Sequence, residues 1–128
     1  EQLAVLCAAE ADEAALTAMR NGSKAAGFGS RTHTIKRNLF EAPMLVEELA
    51  TYDAAILDPP RSGAAAQCHF LAKSDIATIA MVSCNPASFA RDAAILTSGG
   101  YRLDWIKIVD QFLFSNHVEL VGAFTRPA

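Results

Sequence analysis

The sequence predicts an open α/β fold, a Rossmann-like sheet that is mostly parallel and closes on an antiparallel hairpin at its carboxyl end. Three observations carry the prediction. Short apolar runs that suit strands alternate with stretches of helical period along the chain. Three of the runs stop on or just before a chemically capable residue, Glu10, Asp58 or Cys84, and ligands of open α/β sheets bind outside the carboxyl ends of the strands. The final two runs, 101–109 and 118–125, are separated by too few residues for a crossover and are therefore expected to be antiparallel neighbours.

Taken in order, residues 3–8 (LAVLCA) read as a buried strand, and 11–20 (ADEAALTAMR) as a helix whose acidic start suits its dipole. Asn21-Gly22-Ser23 and Gly27-Phe28-Gly29 read as breaks. Residues 31–36 (RTHTIK) alternate as an exposed or edge strand does, closed by Asn38-Leu39-Phe40. A short helix is expected over 43–50, opened by Pro43 in its first turn. Residues 52–58 form a strand that ends on a carboxylate, and 64–73 are helical. The apolar, partly β-branched run 78–82 (TIAMV) is a strand that stops at Ser83-Cys84-Asn85-Pro86, where a helix over 86–96 begins with proline in its first turn. Gly99-Gly100 cap that helix, and the two closing strands follow.

The composition is that of a folded domain. The 128 residues, 52% hydrophobic and 20% charged, suffice for one sizeable core. A net charge of −3 is not the basic footprint of a nucleic-acid binder, so such a partner would be held locally or by another domain. Cys7, Cys68 and Cys84 are widely spaced, without C-x-x-C or a histidine at ligand spacing. This disfavours a metal site or a disulfide framework and suits a reducing cytoplasm. No apolar stretch reaches membrane length, and no signal peptide is expected. The chain opens at Glu1 directly on an apolar run, and we expect residues 1–128 to be one partial, N-terminally truncated catalytic domain.

Cys84 draws the first functional reading. At the end of a strand and the start of a helix, it faces unpaired N–H groups and a positive dipole end, which favour thiolate over thiol. The competing reading is a buried structural cysteine, the commoner fate of the residue type. Glu10 is placed to accept hydrogen bonds from ribose hydroxyls, or is a solvated acid at a helix start. Asn38 is placed to read an adenine edge, or is simply a turn residue.

Three blocks then carry a resemblance: Asp58-Pro59-Pro60-Arg61-Ser62-Gly63; Ser83-Cys84-Asn85-Pro86-x-x-x-Ala90-Arg91-Asp92; and Asp110-x-Phe112 with His117-Val118-Glu119. In order and spacing they resemble the S-adenosylmethionine-dependent RNA 5-methyluridine methyltransferases that modify tRNA or rRNA, over at least residues 52–126. The resemblance implies S-adenosylmethionine as methyl donor, S-adenosylhomocysteine as product, and tRNA or rRNA as substrate. It makes Cys84 the nucleophile, Glu119 the base and Asp58 a residue of the substrate and donor site. Arg61 and Arg91 would help hold the site or the RNA. For His117 the readings are an orienting or structural imidazole, which we favour, and direct proton transfer.

The chemistry wants these residue types. Uracil carbon 5 is a poor nucleophile, so a thiolate adds at carbon 6 and converts the ring to an enolate. A base then removes the carbon-5 proton. Glu119, beside His117 and expected to be partly enclosed by Phe112, Leu113 and Phe114, would gain basicity by desolvation. The target base must also leave its stack to be reached.

Two departures from the family pattern stand out. Leu113 occupies a position where proline is usual. The glycine-rich turn that cradles the donor's methionine end has no counterpart here, and in the family its strand lies between the strands at 3–8 and 52–57. The chain alone is therefore expected to bind the donor weakly, to be catalytically silent, and to self-associate through strand edges left open. The alternatives are a non-catalytic fragment that binds RNA or a protein, and an amino-methyltransferase of the D-P-P type acting on a purine. In the latter an aromatic residue normally follows D-P-P, whereas Arg61 follows here. The RNA cytosine carbon-5 enzymes would need a cysteine within 59–63, which holds none.

Overall fold

Strand pairing in the computed structural model, which describes residues 5–110, 114–115 and 117–127, produces two hydrogen-bonded sheets, one in each of two units, Glu1–Pro43 and Met44–Ala128. In the first unit, β1 (Leu6–Glu10) runs parallel to β2 (Thr32–Lys36), with Leu6 opposite Thr32 and Glu10 opposite Lys36. Between them lies α1 (Glu13–Ala25), started by Asp12, whose Oδ1 accepts from the Ala14 amide at 2.8 Å. The expected break at Asn21-Gly22-Ser23 does not occur. The backbone ladder continues through it, with the Ala26 amide bonded to the Gly22 carbonyl at 2.9 Å. One interior glycine costs a helix only about 1 kcal/mol, which a 13-residue helix tolerates. The chain turns instead at Gly27, whose φ of +80° suits glycine.

The second unit contains α2 (Val46–Leu49), β3 (Ala54–Leu57), α3 (Ala65–Leu71), β4 (Thr78–Ser83), α4 (Pro86–Ser98), β5 (Arg102–Val109) and β6 (Glu119–Thr125). The strand order is β3-β4-β6-β5. β3 and β4 are parallel, and β6 is antiparallel to both of its neighbours, so the two last strands pair as their short connection requires. The helix expected over 43–50 shrinks to α2, opened by the Glu48 carboxylate accepting from the Leu45 amide at 2.8 Å.

Alternation along β4 and β6 defines the core face. Ile79, Met81 and Ser83 on β4, and Leu120, Gly122 and Phe124 on β6, are buried. Against them pack Cys68 and Leu71 of α3 and Phe89, Ala93 and Leu96 of α4. Near the ends of α3 and α4, Arg126 donates to the carbonyls of Gly99 and Ala72 and lies over the Tyr101 ring at 4.3 Å, while the Tyr101 hydroxyl donates to the Ile76 carbonyl at 2.6 Å. Among the described residues no helix is long and apolar enough to cross a membrane.

Candidate active site

The register of the second sheet assembles the rim that the sequence motifs occupy. β3, β4 and β5 point their carboxyl ends the same way, and β6 runs opposite, so Asp58, Cys84, Asp110 and Glu119 lie at one edge. The last pair of the β4–β6 ladder is Ser83 with Leu120. Cys84 follows this pair on a bend just past β4, and Glu119 precedes it as the first residue of β6, so both adjoin the last rung of the ladder at the rim. Glu119 itself pairs with Val109 of β5. Asp58 follows Leu57, which pairs with Met81, so it lies about two residues, roughly 7 Å along the strand, before Cys84.

The turn that carries Cys84 is built by short-range hydrogen bonds. Asn85 caps α4, its Oδ1 accepting from the Ala87 amide at 3.0 Å, and Pro86 takes the first helical position, where an N–H would be unsatisfied. The buried Ser83 hydroxyl donates to the Asn85 carbonyl at 3.1 Å, and its oxygen faces the Asn85 amide at 3.2 Å. Cys84 is half-buried between these anchored neighbours. Cys68 is different in kind. It is fully buried, and burial first, then the Asp92 charge, pushes its thiol up to about 12 against the opposing pull of Arg91. Of the two cysteines in this unit, the one at the rim is accessible and the one in the core is inert.

The Asp58–Gly63 loop is tied to the same helix. Gly63 turns it with φ +79°, its amide bonded to the Pro60 carbonyl at 2.8 Å. Asn85 Nδ2 donates to the Arg61 carbonyl at 3.0 Å, and Arg91 Nη2 to the Ser62 carbonyl at 2.8 Å. Asp92 accepts from Arg91 and, at 2.6 Å, from the Ala64 amide. The Arg91 guanidinium is thus engaged with the loop and with Asp92, whereas the Arg61 side chain is exposed on the rim.

His117 is exposed, with its amide donating to Ser115 Oγ at 3.0 Å. Glu119 is half-buried. Phe114 does not help enclose it as expected. Its ring is wholly exposed on a backbone with φ of 60°, so it excludes no water from the carboxylate. Phe112 and Leu113, expected to enclose Glu119 as well, lie outside the described residues.

Glu10 and Asn38 belong to the first unit. Glu10 is the last residue of β1 rather than the first beyond it, and its Oε1 accepts from the amides of Ala11 and Asp12 at 2.6 and 2.9 Å. Asn38 follows β2, its Oδ1 accepting from the Phe40 amide at 3.1 Å and its carbonyl from Glu41 and Ala42. Both are exposed at the carboxyl edge of the two-stranded sheet. An exposed carboxylate and an amide at such an edge have the donor and acceptor set to receive a ribose and a purine. Among the described residues no cluster of three His, Cys, Asp or Glu could hold a metal ion.

Sequence reasoning assigned no role to Gly63, Asn85 or Asp92, although all three stand inside the motifs. A signal for Asp92 was available. It occupies the buried stripe of α4 with Phe89, Ala93 and Leu96, at spacings that call for apolar residues.

Comparison with known proteins gives consistent matches. The profile of the tRNA (uracil-5-)-methyltransferase family matches residues 32–126. An uncharacterised RNA methyltransferase of Rhizobium meliloti is 52% identical over 91 residues, covering 71% of this chain and 22% of its own. The 23S rRNA (uracil(1939)-C(5))-methyltransferase of Chromohalobacter salexigens is 35% identical over 125 residues, covering 98% of this chain and 26% of its own. Among solved structures, the Pyrococcus abyssi tRNA (uracil-54, C5)-methyltransferase, in complex with S-adenosyl-L-homocysteine, superposes with a TM-score of 0.79 at 29% identity over 94% of this chain and 29% of its own. The chain therefore spans under a third of the length of each of these relatives.

Proposed function

Because the chain belongs to the tRNA (uracil-5-)-methyltransferase family, we propose that it forms the nucleophile-bearing part of an enzyme that methylates carbon 5 of a uridine in tRNA or rRNA. The carrying observation is the register that ends the β4–β6 ladder on Ser83 and Leu120, the neighbours of Cys84 and Glu119, at the rim that Asp58 also adjoins. S-adenosylmethionine, when bound, supplies an electrophilic methyl group. Glu10 and Asn38 are the residues we assign to its ribose and adenine. The glycine-rich turn for its methionine end would come from chain beyond residues 1–128, which in this reading are one part of a longer catalytic domain in the cytoplasm.

In the proposed sequence the Cys84 thiolate forms a bond to uracil carbon 6, and the ring's electron pair moves to carbon 5 and the carbon-4 oxygen. Asp58 binds the polar edge of the flipped base. The electron pair at carbon 5 would take the methyl group as its bond to the donor sulfur breaks and leaves a neutral thioether, and Glu119 then accepts the carbon-5 proton. The electrons of that C–H bond restore the ring double bond and expel the Cys84 sulfur. Arg61 contacts the RNA backbone, His117 orients the substrate, and Arg91 holds the site. Positions adjoining the last rung of one strand pair suit this division, because nucleophile and base must reach adjacent carbons of one ring.

The test is a full-length enzyme given RNA with 5-fluorouridine at the target, where fluorine blocks the proton step. The parent should accumulate a covalent adduct that survives denaturation, and Cys84→Ala should form none. An undiminished adduct in Cys84→Ala would remove the residue from this role.

A further inference from the structure

We propose that Asp92 is a positioning residue, which from the buried stripe of α4 fixes the 61–64 loop and thereby sets the placement of Asp58 relative to Cys84. The inference rests on the reading of those two residues given above. A carboxylate is expensive to bury unless its lone pairs are used, and Asp92 is fully buried. Its Oδ1 accepts from Arg91 Nε at 2.9 Å and Nη2 at 2.7 Å, and its Oδ2 accepts from the Ala64 amide at 2.6 Å. The Ala64 amide stands at the start of α3, whose own N-cap residue is an alanine without a side-chain acceptor.

A local acceptor for the Ala64 amide would be the side chain at 67, three residues on as in a capping box, but Gln67 is engaged with the amide and carbonyl of Met44. The chain instead brings the acceptor from α4, the helix that begins two residues after the nucleophile. Two further bonds run the same way, from Arg91 Nη2 to the Ser62 carbonyl and from Asn85 Nδ2 to the Arg61 carbonyl. Backbone groups of residues 61, 62 and 64 are thus held by side chains of the cysteine-bearing turn and its helix. Gly63 shows how closely the parts fit. A Cβ there would lie 2.4 Å from Arg91 Nη2 and 2.5 Å from Asp92 Oδ2, on a backbone with φ +79°. Asp92 is therefore the hub of a clamp between the loop after β3 and the turn after β4.

A displacement of about 1 Å in a reacting group can cost on the order of 100-fold in rate. In the full-length enzyme, Asp92→Asn keeps the volume but weakens the grip on Arg91. It should lower kcat by roughly 100-fold, with KM for RNA and the thermal midpoint close to the parent's. Gly63→Ala disturbs the same contact from the loop side, so its effect on kcat should combine non-additively with that of Asp92→Asn. Should Asp92→Asn fail to fold, Arg91→Lys serves, since lysine keeps the charge but loses the fork, and kcat should again fall while KM holds.

A folded Asp92→Asn or Arg91→Lys enzyme with the parent's kcat overturns the inference. So does a loss of kcat that tracks a lowered midpoint and recovers on cooling. The 5-fluorouridine adduct separates the two levels. If Cys84→Ala keeps the adduct, the catalytic reading itself fails. If Cys84→Ala loses it while Asp92→Asn retains the parent's kcat, only the positioning role fails.

Discussion

Gly122 sits in β6, between the buried Leu120 and Phe124, and opposite Met81 on β4. Replacing it by alanine opposes two effects. A glycine in a strand interior loses more conformational freedom than alanine on folding, so the substitution gains about 0.5–1 kcal/mol from the unfolded state. Against this, the new Cβ would lie 2.6 Å from Phe89 Cζ and 3.1 Å from its Cε2. A side-chain tip yields cheaply only when it has somewhere to go. Phe89 is 4% exposed and its ring centroid lies 6.3 Å from that of Phe124. Overpacking a filled core costs about 1–3 kcal/mol, so the clash wins, leaving a net loss of roughly 1–2 kcal/mol. At this chain length that corresponds to a thermal midpoint lower by about 3–10 °C. Urea unfolding should show a lower midpoint at unchanged slope. Gly22→Ala is the internal control, since nothing lies within 4 Å of a Cβ there and the site is inside a helix. It should stabilise by up to about 1 kcal/mol. A Gly122→Ala protein as stable as the parent, or more so, would refute the reasoning by showing that Phe89 has room to move.

Three further predictions concern the thiols and the base. In the full-length enzyme, Glu119→Gln should permit addition and methyl transfer but block proton removal, so that a denaturation-resistant complex accumulates with unmodified RNA, detected on a denaturing gel. Normal turnover would assign the base elsewhere. Iodoacetamide should modify Cys84 in the folded protein and leave Cys68 untouched until unfolding, as peptide mass mapping would report. Because the Cys68 thiol rises from 9.0 to about 12 on folding, its contribution to stability is complete below pH 9 and is lost as pH climbs toward 12, where the unfolded chain gains by ionising. Cys68→Ala should flatten that alkaline decline, and an unchanged slope would contradict the assignment.

The sequence alone determined the alternation of strands and helices and the antiparallel closing pair, although the first strand runs on to Glu10 instead of stopping at residue 8. These are local matters: apolar period, proline in the first turn of α4, and the Gly99-Gly100 stop. The pair proposed as reactive was chosen from the sequence too, because Cys84 and Glu119 stand inside motifs whose residue types match a demanding reaction. Tertiary structure decided the rest. That β6 lies between β4 and β5, and so brings Glu119 to the same rim as Cys84, depends on long-range pairing that no local pattern encodes. The Asn21-Gly22-Ser23 break failed because a continuous hydrogen-bond ladder outweighed a weak local propensity. The enclosure of Glu119 by Phe114 failed because nearness in sequence does not fix which way a loop side chain faces. Asp92 stands at an apolar position of α4, but the sequence did not show what it binds. Its meaning came only from the loop folded against it, since the cost of burying a carboxylate is offset by partners 1 and 28 residues away in the chain.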